Sequence, residues 1–154
     1  MRLQDLFPKS ALQLDLKART KDEAIRELIA TLVSGGQIEE SSTADAEAAV
    51  EEREQQGSTG IGRGLAIPHA KSCSFLSGIV GVFGRSAEGI EYNSVDGEPV
   101  RVLFLILSGS DHGDDHVAAL RRIAQLGRDE ATVNFLAGRT TDDGIHEIFE
   151  EVDG

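Results

Sequence analysis

Between Gly57 and Lys71 the chain reads GSTGIGRGLAIPHAK, and His69 is the residue in it best suited to chemistry. An imidazole with an ordinary pKa of about 6.5 is mostly neutral at pH 7, and its free ring nitrogen is a competent nucleophile toward phosphorus. Pro68 fixes the backbone ahead of His69 and would present the ring rigidly. Gly60, Gly62 and Gly64 allow backbone N–H groups to approach an anion, and Ser58 and Thr59 add hydroxyl donors. On the helix before this stretch, Ala46, Ala49, Val50 and Arg53 fall at i, i+3, i+4 and i+7 on one face, which is predicted to be buried. A guanidinium there must meet an anion or stretch out to water. With amide donors and an arginine around a neutral imidazole, the stretch has the positioning and charge neutralisation that phosphoryl transfer needs. Each part also has a plainer reading: a glycine-rich bend, a hydrogen-bonded structural histidine, an arginine reaching solvent at a helix end.

Other anion-binding signatures do not fit. The glycines follow a helix and are spaced G-x-G-x-G, so the context of a dinucleotide fingerprint is inverted, and the Gly-Lys-Ser/Thr ending of a P-loop is absent. Further along, His116 in HVAALRRIAQLG shares a helical face with Leu120 and Ile123. In the first turn of a helix its imidazole is kept neutral, and the free N–H groups favour an anion. His112 competes with His116 for such a role, although it precedes the predicted helix. The two histidines stand four apart, with Asp111, Asp114 and Asp115 beside them, a spacing that zinc can use. Gly113 intervenes, and acids at a helix start have a capping explanation, so no metal is predicted.

These residues need elements to hold them. Ala11 to Leu16 alternates and predicts a short strand. Thr20 to Val33 predicts a helix, with Thr20 and Glu23 as a capping box, a stripe of Ile25, Leu28, Ile29 and Leu32, and Gly35-Gly36 as the stop. Ser42 is placed to cap a second helix running to about Gln56, and Leu65 to Ile67 predicts a short strand. Phe75 to Gly84 predicts another, followed by a turn at Asp96-Gly97. The nearly continuous apolar run VRVLFLIL from Val100 to Leu107 predicts a central strand covered on both faces. Helices are expected over Asp114 to Leu126, Asp129 to Ala137 and Thr141 to Val152. Helices flanking a hydrophobic sheet give an α/β layered domain, and the hairpin-like turn predicts a mixed sheet.

The chain has 154 residues, enough for one domain with a real core, so residues 1–154 are expected to form a single domain. The formal charge of −12 argues against nucleic acid as the main partner, because phosphate backbones need a basic face. No apolar run is long enough to span a bilayer, the N-terminal MRLQDLFPKS lacks a signal-peptide core, and the lone Cys73 suits a reducing compartment. A cytoplasmic protein without membrane insertion is expected.

The segment REQQGSTGIGRGLAIPHAK closely resembles the active-site segment of enzyme IIA domains of the bacterial phosphoenolpyruvate-dependent phosphotransferase system, fructose–mannitol class, which includes nitrogen-regulatory IIA proteins. Arg53, Glu54, Ser58, Thr59, Gly60, Ile61, Gly62, Gly64, Ala66, Pro68 and His69 all fit the family pattern. LDLKARTKDEAIRELIATLV and GIEYNSVDGEPVRVLFLIL resemble its first strand and helix and its D-G-x-P-V turn with the strand that follows, so the resemblance covers nearly the whole chain. It implies a three-layer α/β/α sandwich around a mixed sheet. It implies that His69 accepts a phosphoryl group at Nε2 from a histidine phosphocarrier protein (HPr-like), that Arg53 steadies the phosphate, and that His116 is the family's second histidine. Ser58, Thr59, Gly60 and Gly62 are the expected phosphate-binding positions, and no cofactor is expected. Val117 stands where the family usually has Leu, and DHGDDH is more acidic than the family's usual sequence. The acceptor would be a IIB subunit or a regulatory target. With no IIB or membrane IIC segment in the chain, the nitrogen-regulatory type is the leading expectation and a stand-alone sugar-specific IIA subunit the alternative. A third possibility, a degenerate binding-only copy of the fold, sits poorly with the intact GIGRGLAIPH run.

Overall fold

The computed structural model describes all 154 residues. Six helices, α1 (Leu3–Leu6), α2 (Lys21–Ser34), α3 (Thr43–Gln55), α4 (Gly113–Leu126), α5 (Glu130–Gly138) and α6 (Asp142–Asp153), surround a sheet. Its strands are β1 (Leu12–Gln13), β2 (Gly60–Gly62), β3 (Leu65–Ala66), β4 (His69–Ala70), β5 (Ile79–Ile90) and β6 (Val100–Ser108). The order is β1-β5-β6-β3-β2, and β4 continues the line of β3 along β6. The pairs β1–β5, β3–β6 and β4–β6 are parallel, whereas β5–β6 and β2–β3 are antiparallel, so the sheet is mixed.

Strand β6 sets the layering. Its side chains alternate between faces. Leu103, Leu105 and Leu107 join one core with Ile25, Leu28, Ile29 and Leu32 of α2 and Ala46 and Val50 of α3. Val102, Phe104 and Ile106 join the other, with residues of α1, α4, α5 and α6. Both faces are therefore covered, as the unbroken apolar run requires, and the architecture is a three-layer α/β/α sandwich. On the second face Phe104 makes edge-on contacts with Phe7 and Phe83, each at 5.1 Å between ring centroids. No helix is long and apolar enough to cross a membrane.

The capping box of α2 is present in both directions between Thr20 and Glu23. Several expectations shift. Ser42 precedes α3 but makes no side-chain cap. The strand expected over Phe75 to Gly84 begins at Ile79, after a left-handed Gly78 (φ 101), and runs on to Ile90. The polar residues Arg85 to Gly89 are carried into it by pairing with β6 across a bulge: Arg85 pairs with Val102 but Ile90 with Val100. The strand expected over Ala11 to Leu16 shrinks to Leu12–Gln13, because Lys9–Ala11 form a 3-10 turn.

Candidate functional site

His69 opens β4 and is half-buried. The strand is held against β6 by its pairing with Ile106 and Leu107, and the carbonyl of Pro68 accepts from the Ile106 amide at 3.0 Å. After Ser108 the chain leaves β6, turns through residues 109–112 and enters α4, whose first turn carries His116. The last turn of α3 brings Arg53. These three elements enclose a cleft of about 680 Å³ whose wall includes Arg53, His69, Lys71, Asp114, His116 and Val117. Arg53, His69 and His116, read separately from the sequence, thus share one cleft. His112 precedes α4 and does not line it.

Nδ1 of His69 lies 2.7 Å from the carbonyl oxygen of Ile67. A carbonyl can only accept, so Nδ1 carries the ring proton and Nε2 keeps its lone pair. Burial pulls the His69 pKa below its ordinary value, with the charges of Arg53 and Lys71 acting the same way; the Ile67 hydrogen bond and Glu54 oppose them. The ring is neutral at pH 7. His116 is buried at 3% exposure, and its ring centroid is 5.3 Å from that of His69. Its Nδ1 shares a hydrogen bond with Ser108 Oγ at 2.7 Å, and its Nε2 has no partner in the chain. Desolvation, reinforced by the neighbouring His69 and Lys71, lowers its pKa to about 4. No side chain caps the N-terminus of α4, so its first N–H groups add positive potential at the cleft.

The glycine-rich stretch is anchored to other parts of the fold. Ser58, Thr59, Gly60 and Gly62 do not line the cleft. The Ser58 hydroxyl donates to the Tyr92 carbonyl at 3.0 Å and accepts from the Gly60 amide at 3.1 Å. The Thr59 amide donates to Glu54, and its hydroxyl bonds Glu54 and contacts Tyr92. Gly60 packs so tightly on Ser94 that a Cβ would meet its Oγ at 2.4 Å, and Gly62 takes φ 99 beside Asp96. These donors are consumed in anchoring the loop. The positive groups of the cleft are Arg53, Lys71 and the α4 terminus.

The buried face of α3 also differs: it carries Ala46, Val50 and Glu54, whereas Arg53 is half-buried and donates to the Gly57 carbonyl at 2.9 Å. Glu54 accepts from Lys21 Nζ at 2.9 Å and from the Tyr92 hydroxyl at 2.9 Å, in addition to Thr59. Tyr92, in turn, is pushed well above its ordinary pKa by burial and by the Glu54 charge. This network ties the end of α3 to the loop leading to His69. Glu54 lay in plain view in the motif, but its partners Lys21 and Tyr92 are 33 and 38 residues away in sequence. Lys71 carried no signal beyond its position two residues after His69.

A family model described as "Phosphoenolpyruvate-dependent sugar phosphotransferase system, EIIA 2" matches residues 5–152. A nitrogen regulatory protein of Bradyrhizobium diazoefficiens is 39% identical over 84% of this chain and 82% of its own length. A fructose-specific EIIABC component of Bacillus subtilis is 32% identical over 99% of this chain, which spans only 24% of that relative. Among solved structures, the nitrogen regulatory protein IIA-Ntr from Neisseria meningitidis superposes with a TM-score of 0.85, is 26% identical, and covers 96% of this chain and 98% of its own. The chain belongs to the EIIA 2 family of the phosphotransferase system, whose members carry phosphoryl groups through a phosphohistidine.

Proposed function

We propose that this phosphocarrier holds its phosphoryl group on Nε2 of His69, with Arg53 and His116 as phosphate partners and residues 1–154 acting as one unit. The observation that carries the reading is the Nδ1–H bond to the Ile67 carbonyl, which leaves a neutral ring's Nε2 lone pair at a cleft walled by Arg53, Lys71 and His116. The lone pair attacks phosphorus of a donor phosphohistidine. The new N–P bond forms on His69 as the donor's N–P bond breaks, and its electron pair returns to the donor imidazole. No proton moves on His69, because Nδ1 keeps its own throughout. The positive groups offset the phosphoryl charge without forming covalent bonds to it, so transfer stays reversible.

The donor is a histidine phosphocarrier protein (HPr-like), and the next partner is a IIB subunit or a regulatory target. A nitrogen regulatory protein is among the relatives matched over most of both lengths, which supports a nitrogen-regulatory role exercised in the cytoplasm. The fructose-specific relative supports a second reading, the IIA subunit of a sugar uptake system. Incubation with radiolabelled phosphoenolpyruvate, enzyme I and the carrier should label the chain, and His69→Ala should abolish labelling. Labelling that survives His69→Ala would refute the assignment. Sugar phosphorylation on adding IIB and IIC membranes would select the second reading.

A further inference from the structure

One ring nitrogen at the cleft has unfinished hydrogen bonding. Nε2 of His116 has no partner, although the residue is only 3% exposed. A neutral imidazole carries one ring proton, and its position decides whether Nε2 offers an anionic oxygen a donor or a lone pair.

Two features fix that position. Ser108 is fully buried on β6, and Nδ1 of His116, at 2.7 Å, is the one partner its hydroxyl has in the chain. If the ring donated, the serine hydrogen would be buried without an acceptor, which folded proteins avoid. If the serine donates, its hydrogen is satisfied and the ring proton goes to Nε2. The second feature is His69 itself. Its proton is held on Nδ1 by Ile67, so Nε2 keeps its lone pair on a ring that lines the cleft. A second lone pair on His116 would add repulsion toward every phosphoryl oxygen placed there.

We propose that Ser108 is a positioning residue: by donating to Nδ1 of His116, it keeps the ring proton on Nε2 and makes His116 a neutral N–H donor to the phosphoryl group. This rests on the reading of His69 as the carrier. The two rings are then complementary. A carbonyl, which can only accept, makes one a nucleophile, and a hydroxyl makes the other a donor.

The test is a long-range proton–nitrogen correlation spectrum of the ¹⁵N-labelled full chain. The expected wild-type spectrum has the proton on Nδ1 in His69 and on Nε2 in His116, with Nδ1 of His116 displaced as a hydrogen-bonded acceptor. In Ser108→Ala that nitrogen should move to the position of an unbonded lone pair while the His69 signals stay put. Phosphoryl acceptance should slow by about 5- to 10-fold, the equivalent of one ordinary hydrogen bond. Ser108→Thr should restore both readouts. A proton on Nδ1 of His116 in the wild type overturns the proposal, and that spectrum requires neither a variant nor phosphorylation. An unchanged His116 spectrum or transfer rate in folded Ser108→Ala overturns it too. Failure of His69 to label overturns the carrier reading instead, whatever the tautomers.

Discussion

Nε2 of His69 owes its lone pair to a carbonyl two residues upstream, and its low affinity for protons first to burial, then to the charges of Arg53 and Lys71. Protonation at Nε2 would block attack on phosphorus, so acceptance should fade on the acid side, below the ordinary histidine range. Arg53→Ala removes a positive neighbour. It should slow acceptance by about 10²-fold, a magnitude seen when one preorganised donor is lost, and shift the acid limb upward; a pH–rate profile with a fixed carrier concentration measures both. His116 gives a stability counterpart. Its pKa is about 4 in the fold against 6.5 for an ordinary histidine. Between those values the unfolded chain binds more protons than the folded one, so stability falls as pH drops through this window. The loss should reach about 2 kcal/mol at pH 5, read as a urea midpoint that declines less steeply in His116→Gln. Residue type and spacing singled out Arg53 and His69, the family resemblance singled out His116, and the fold lines one cleft with all three. That Ser58 and Thr59 lie outside the cleft wall was not legible, because hydroxyls beside glycine look like anion donors until their partners are known. Tyr92, the partner of both, is more than 30 residues away.

The last turn of α3 shows how an element is made to serve the cleft. Successive residues there have opposite duties: Arg53 faces the cleft, and Glu54 enters the interior to bind Lys21, Thr59 and Tyr92. Glu54→Ala would leave the Lys21 ammonium and the Tyr92 hydroxyl without their carboxylate. It should cost about 3 kcal/mol, measured by denaturant unfolding, and should slow phosphoryl acceptance as Arg53 loses its fixed position. An unchanged transfer rate in folded Glu54→Ala would separate this network from the site. Periodicity made α2, α4 and β6 legible almost to the residue, because each has a strong apolar face or run. It misplaced β5, whose second half is polar and enters the sheet through long-range pairing with β6 across a bulge at Arg85 to Ile90. Local propensity carries no record of such pairing.

Across the whole molecule, the two ends of the chain are fastened on the side of the sheet that packs α1, α4, α5 and α6. The Asp153 carboxylate accepts from the Leu3 amide at 2.9 Å and the Gln4 amide at 3.2 Å, and Arg122 Nη2 donates to it at 2.9 Å. One side chain thus joins α1, α6 and α4. Desolvation alone would raise the Asp153 pKa, but the hydrogen bonds from Leu3, Arg122 and Gln4 outweigh it and leave the group below the ordinary carboxylate value of 3.8. A depressed carboxylate stabilises the fold fully above its unfolded pKa, and that contribution disappears as pH falls through the folded one. Asp153→Ala should therefore lower stability at pH 7 by about 2 kcal/mol, with the gap between variant and wild type closing below about pH 4. Amide exchange at Leu3 and Gln4 should quicken while exchange in β6 follows only the global loss. Phosphoryl acceptance by His69 should change less than twofold, because Asp153 lies outside the cleft and its contacts reach α4 at Arg122, well past the turn that holds His116. A large loss of transfer in folded Asp153→Ala would mean that the helix carries strain from the clasp to the histidine pair.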